Sequence, residues 1–342
     1  MANVALEIQP TLEAEFTFAQ EQPFVLERGG QLQPVTLRYA VYGELARNRD
    51  RVVLACHALS GSARVADWWT SFFGAGLPFD TERCCVIGVN LIGSCYGSTG
   101  PTSTNPKTGT KYGPDFPVVT LVDNVRAQAI LLDHLGIDRL LAVIGGSIGG
   151  MQALEWGLRF PQRVRHAIAM CAAPLNAMGL ALNHLQRQAI WNDPDWKGGD
   201  YQTEPAALRT GIEMLWLMGS NPALRQQEAP TLAQADQVLD RYVESNLKTT
   251  DANDLMYALA ASRDYDPGPG LEKIEAPLLA VNSADDLINP PELGILEREI
   301  KRVPHGRAIV IPYSAQTHGH GSHTYAVLWK SYLEELLKSP AR

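Results

Sequence analysis

Ser147 lies at the centre of Gly145-Gly146-Ser147-Ile148-Gly149, a G-x-S-x-G turn between an apolar run at 139–144 and a helix-like stretch at 151–160. A serine at a sharp strand-to-helix turn is held in a strained backbone conformation with its hydroxyl in the open. A side chain at Gly145 or Gly149 would collide across so tight a turn. The helix that follows aims its N-terminal amides at the point where an oxyanion would develop. The bare pattern also fits a structural serine in a glycine-rich turn; the flanking strand and helix favour a nucleophile.

Such a serine needs a base and a carboxylate to orient the base, in the chain order Ser, Asp or Glu, His. Ser283-Ala284-Asp285-Asp286 follows an apolar run at 276–282, and Thr317-His318-Gly319-His320-Gly321-Ser322-His323 follows another at 308–312. Active-site groups of open α/β sheets collect at the C-terminal ends of strands. His320, flanked by two glycines, is the expected base, taking the proton from Ser147 and returning it. His318 and His323 are expected to be hydrogen-bonding or lining residues. Asp285 is preferred to Asp286 as the orienting carboxylate, because the first residue past a strand is better placed to turn back over the sheet edge. The turn after the strand ending in Cys56 supplies one oxyanion donor and the residue after the nucleophile the other, which selects the amides of Leu59 and Ile148. His57, ending a buried strand, reads as a hydrogen-bonded structural residue. One rival chemistry is zinc binding by the H-x-H-x-x-H spacing of His318, His320 and His323. No acidic residue stands between the second and third histidines, and the metal reading leaves the serine turn unexplained, so no metal or other cofactor is expected.

These groups need a scaffold, and 342 residues suffice for one large α/β unit carrying an insertion. Strand-like runs recur at 35–41, 51–57, 84–90, 139–144, 165–171, 278–282 and 308–312, with helix-like runs at 121–135 and 151–160. This alternation predicts a mostly parallel sheet with helices on both faces. From about 175 to 266 the rhythm becomes strand-poor, with helix-like runs at 180–191, 206–218, 232–247 and 253–262. The expected organisation is a core of residues 1–174 and 267–342 with a helical cap at 175–266, placed to exclude water and shape the pocket.

A net charge of -8 without a basic block argues against nucleic acid or anionic membrane as a partner. No apolar run approaches the ~20 residues needed to cross a bilayer, and the first ten residues carry no secretion-signal pattern. The odd number of cysteines fits no disulfide framework, and a reducing cytoplasm is the expected location. Cys95, in the glycine-rich loop at 93–97, reads as a small residue filling that loop.

Four stretches carry a resemblance: His57-Ala58-Leu59-Ser60-Gly61, the loop from Gly93 through Ser98-Thr99-Gly100-Pro101, the elbow block from Gly145 to Trp156, and Asn183 with Arg187-Gln188-Ala189-Ile190. On these the chain resembles the homoserine O-acetyltransferase family of the α/β-hydrolase superfamily over nearly its whole length. The resemblance implies the α/β-hydrolase fold, a ping-pong route through acylated Ser147, a dimer through the cap, and a carboxylate-binding role for Arg187. It also marks departures. Family acetyltransferases follow the catalytic histidine with an aspartate that holds the amino group of homoserine; here that position is Gly321. Their cap tyrosine has no counterpart in Trp216-Leu217-Met218-Gly219-Ser220. An unpaired, desolvated ammonium costs ~1–3 kcal/mol, which turns the expectation toward water as acceptor. The tail H-G-H-G-S-H-T resembles a carboxylesterase branch of the family, so the sequence reading is a serine carboxylesterase acting on small short-chain esters, with homoserine (or serine) O-acyl transfer from acetyl-CoA or succinyl-CoA as the alternative.

Overall fold

The computed structural model describes residues 8–94 and 96–338; Cys95 and residues 1–7, on which two of the expectations above fall, lie outside them. The described residues form ten strands: β1 Leu12–Phe18, β2 Phe24–Val25, β3 Gln31–Leu32, β4 Val35–Tyr42, β5 Val52–Cys56, β6 Cys85–Val89, β7 Ala142–Gly146, β8 Ala167–Met170, β9 Leu278–Ser283 and β10 Gly306–Ile311. β2 and β3 pair with each other, and the other eight form one sheet in the order β1-β4-β6-β5-β7-β8-β9-β10. β1 pairs antiparallel with β4 and β4 antiparallel with β6, and every pairing from β6 through β10 is parallel. This is the mostly parallel sheet that the strand-helix alternation predicts.

The central strands β5 to β9 are buried at every residue, as parallel strands covered on both faces must be. Alternate residues serve opposite faces. Val52, Leu54 and Cys56 pack with Val125 and Leu131 of α2 (Leu121–His134) and with Trp156 of α3 (Ile148–Arg159). Val53 and Ala55 pack with Trp69 of α1 (Val65–Trp69) and Leu333 of α10 (Lys330–Lys338) on the other face. β1 was not anticipated. It is an edge strand whose burial merely alternates between exposed and half-buried, so its hydrophobic signal is weak.

Between β8 and β9 the described chain forms five helices and no strand: α4 Ala177–Trp191, α5 Leu208–Met218, α6 Pro222–Glu228, α7 Leu232–Leu247 and α8 Ala252–Ala261. α4, α5, α7 and α8 share an apolar cluster that includes Ile190, Ile212, Val243 and Leu255. These four match the sequence expectation. α6 does not appear in it, although Asn221 caps the helix by accepting from the Leu224 amide and Pro222 opens it, a recognised start signal. α9 (Ile295–Glu299) follows β9. No helix among the described residues is long and apolar enough to cross a membrane.

Candidate active site

β7 delivers Ser147 at φ 56°, ψ -123°, immediately before α3. A non-glycine residue in such a region costs about 1–3 kcal/mol. Here the surroundings enforce it: the Ser147 amide donates to the Met170 carbonyl of β8 at 2.8 Å. A Cβ on Gly149 would lie 2.0 Å from the Cys56 carbonyl oxygen, and one on Gly145 would lie 2.1 Å from that of Gly149. The turn therefore closes only with glycine at both places.

His320 arrives from the loop after β10. Its Nε2 lies 2.8 Å from Ser147 Oγ, and its Nδ1 lies 3.0 and 3.1 Å from the two carboxylate oxygens of Asp286. The carboxylate beside His320 is thus that of Asp286, not of Asp285, which corrects the sequence preference. The reason is the turn that leaves β9. Asp285 points away from the imidazole and accepts from Asn221 Nδ2 at 2.8 Å and the Gly319 amide at 3.1 Å, with Ser283 Oγ donating to its other oxygen. Asp286 turns inward, and its Oδ1 accepts from the amides of Ile288 at 2.8 Å and Asn289 at 2.9 Å. Burial alone would push the Asp286 carboxyl up. The opposing charge and hydrogen bond of His320, with the Asn289 and Ile288 amides, outweigh it and hold this carboxyl below the usual carboxylate range. Asp285 supports the site indirectly: Asn221 bridges its carboxylate to the Thr317 carbonyl at 2.7 Å. Sequence reasoning missed Asn221; the Asn-Pro pair opening α6 was its available signal.

The other histidines divide by environment. His57 Nδ1 lies 2.7 Å from the Ala58 carbonyl and its Nε2 accepts from the Leu91 amide at 3.3 Å, which fixes a neutral tautomer and a structural role. Burial lowers His57 to about 4, against a raising contribution from the Ala58 carbonyl. Burial, then the nearby His320, lowers His323 to about 3; its ring lies edge-on to His320 at 5.7 Å. His318 stacks on Tyr325. The three imidazoles do not converge on one point. Among the described residues, the potential ligands lying within 4.8 Å of one another are Cys171, Asp286 and His320, which does not reproduce the H-x-H-x-x-H reading.

The buried neutral rings carry a pH signature. In the unfolded chain both titrate near ~6.5, above their folded values, so the unfolded state binds the extra protons as pH falls. Their contribution to stability is complete above ~6.5 and is lost toward pH 4 and 3, at up to about 1.4 kcal/mol per pH unit for each ring. Melting temperature is expected to fall between pH 7 and pH 5. A flat profile would contradict the burial of these two rings.

Ser147 opens into a cavity of about 630 Å³, also lined by Leu59, Ile148, Gly321 and residues of α4 to α7. Ile148 is the first residue of α3, where the amide has no partner within the helix. Gly321 borders the cavity as expected, and its amide donates to the Gly219 carbonyl at 2.8 Å. Arg187 is placed differently: it is not among the lining residues, and its Nε donates to Asn183 Oδ1 at 2.9 Å, Asn183 being the residue that faces the cavity. Of the tryptophans, Trp68 and Trp216 line the cavity, Trp69 is core, and Trp191 is largely exposed.

A family model described as alpha/beta hydrolase fold matches residues 51–315. The homoserine O-acetyltransferase of Geobacter metallireducens is 38% identical over 92% of this chain and 95% of its own length. The chain belongs to the homoserine O-acetyltransferase family of the alpha/beta hydrolase fold. Another similar member, the homoserine O-succinyltransferase of Methylibium petroleiphilum, is 44% identical over 72% of this chain and 71% of that one. Among solved structures, the homoserine O-acetyltransferase from Bacillus anthracis superposes with a TM-score of 0.88 at 26% identity, covering 97% of this chain and 98% of that one. Esterase E22 superposes with a TM-score of 0.84 at 27% identity, covering 96% and 100%. The expectation of an ester hydrolase is overturned here. Family relatives at 38% and 44% identity over most of the chain are homoserine O-acyltransferases, whereas the esterase likeness stands at 27%.

Proposed function

We propose that the protein is a homoserine O-acyltransferase that takes an acetyl or succinyl group from an acyl-CoA. The reading rests on a chain that matches homoserine O-acyltransferases over most of its length and aligns serine, imidazole and carboxylate at hydrogen-bond distances at the mouth of a cavity. Ser147 Oγ attacks the thioester carbonyl while His320 Nε2 takes its proton, and Asp286 supports the imidazolium. The amides of Leu59 and Ile148 receive the oxyanion. Collapse of the adduct breaks the C–S bond, and His320 returns the proton to the departing thiolate. The homoserine hydroxyl then gives its proton to His320 and attacks the acyl-serine, and a second collapse releases the O-acyl product and reprotonates Ser147. Residues 175–266 act as the cap over a core of residues 1–174 and 267–342, excluding water from the acyl-enzyme.

The test is release of CoA thiol from acetyl-CoA and from succinyl-CoA, with and without homoserine. Thiol release is expected to depend on homoserine with one of the two donors, accompanied by O-acyl homoserine. Release at the same rate without an amino acid acceptor would sink the transferase reading.

A further inference from the structure

The cavity beside Ser147 has few charged walls. Apart from histidines, its charged lining among the described residues is Asp67, Arg225 and Glu228. An α-amino acid carries its ammonium and carboxylate on one carbon, so the partners that recognise it must be adjacent and of opposite sign. Arg225 and Glu228, both on α6, meet this requirement: Nη1 of Arg225 lies 2.9 Å from Oε2 of Glu228. Asp67 does not, because its partner Arg64, at 3.1 Å, is outside the lining. Resting on the acyltransferase reading, we infer that Arg225 and Glu228 form the acceptor subsite, Arg225 taking the carboxylate of the incoming amino acid and Glu228 its ammonium.

Three observations support this. The Arg225 guanidinium carbon lies over the Trp216 ring, 4.2 Å from its centroid, and a guanidinium so placed can offer its fork of donors to a planar carboxylate. Among the described residues Glu228 is its one hydrogen-bonded partner, and its Nε is buried with none, so a group with five donors is under-used. The pair itself is an i,i+3 contact with side chains 28% and 39% exposed, worth little on its own and readily exchanged for a ligand. α6 is also registered against the chemistry. Asn221 at its start bonds Asp285 and Thr317, and the neighbouring Gly219 carbonyl bonds the Gly321 amide, next to His320. Gly321 has no charge to offer, and a Cβ there would lie 2.9 Å from the Gly219 carbonyl oxygen, so a side chain at 321 would displace the link into α6.

The experiment compares the wild-type chain with Arg225→Gln, Glu228→Gln and Asp67→Asn. It measures transfer to homoserine, transfer to propan-1-ol, and acylation of Ser147 by acyl-CoA without acceptor, read by intact mass. Arg225→Gln and Glu228→Gln are each expected to raise KM for homoserine at least about tenfold, the loss of one charge-assisted contact. Acylation and transfer to propan-1-ol should stay within about twofold, which also reports an intact fold. Asp67→Asn should leave all three alone. Equal losses with homoserine and propan-1-ol would overturn the assignment, as would slowed acylation (placing Arg225 on the donor's anionic groups) or a homoserine-specific loss confined to Asp67→Asn. Failure of the wild type to acylate Ser147, or to use homoserine at all, would instead bring down the acyltransferase reading itself.

Discussion

Ser147→Ala is expected to abolish acyl transfer, with kcat falling on the order of 10⁶-fold, the scale seen when a serine nucleophile is removed from an intact relay. The folded state should survive. Alanine occupies the same φ of 56° with no more steric demand than serine, and the lost hydroxyl contacts only the His320 ring among the described hydrogen bonds. A near-unchanged melting temperature together with the absence of an acylated species by intact mass is the expected outcome. Persistent acylation would place the nucleophile elsewhere. Cys171, whose thiol lies within 4.8 Å of the Asp286 and His320 side-chain ligand atoms, is a poor alternative: burial, then the charge of Asp286, pushes its thiol well up, away from the reactive thiolate.

The second large effect separates two adjacent carboxylates. Asp286→Asn should lower kcat about 10⁴-fold, because an amide facing Nδ1 of His320 favours the wrong imidazole tautomer and cannot support the imidazolium. The asparagine oxygen can still accept from the Ile288 and Asn289 amides, so the turn should persist. Asp285→Asn should cost far less, about tenfold, since its contacts with Asn221 and the Gly319 amide position the histidine loop without touching the ring. Steady-state kinetics of the two variants, with melting temperatures alongside, decide the matter. A larger loss at Asp285 would overturn the relay drawn through Asp286.

The elements that place these groups were mostly legible in the sequence, because central strands buried on both faces produce continuous apolar runs. Ser147 was legible for a related reason: a turn that admits no Cβ at 145 or 149 leaves a glycine signature. His320 stood out between its two glycines. The aspartates were not separable in this way. Which of two consecutive carboxylates faces inward depends on one residue of turn geometry after β9, and on partners such as Asn221 that are 64 residues away in the chain. The expectation of an ester hydrolase arose for a comparable reason. The missing side chain at Gly321 reads in sequence as a missing charge, whereas two charged side chains that line the cavity, Arg225 and Glu228, stand on a helix of only seven residues whose single start signal is Asn221-Pro222.

The contacts of Asn221 also bear on how the cavity can open. If α6 swings outward, the chain must break Asn221's bonds to Asp285 and Thr317 and the Gly219–Gly321 bond. Those same bonds hold the loop that carries His320. Admission of bulk solvent by that route and loss of the base from its working position are therefore one mechanical event. On the proposed route, an acyl group on Ser147 would thus be least reactive toward water at the moment when water has most access to it.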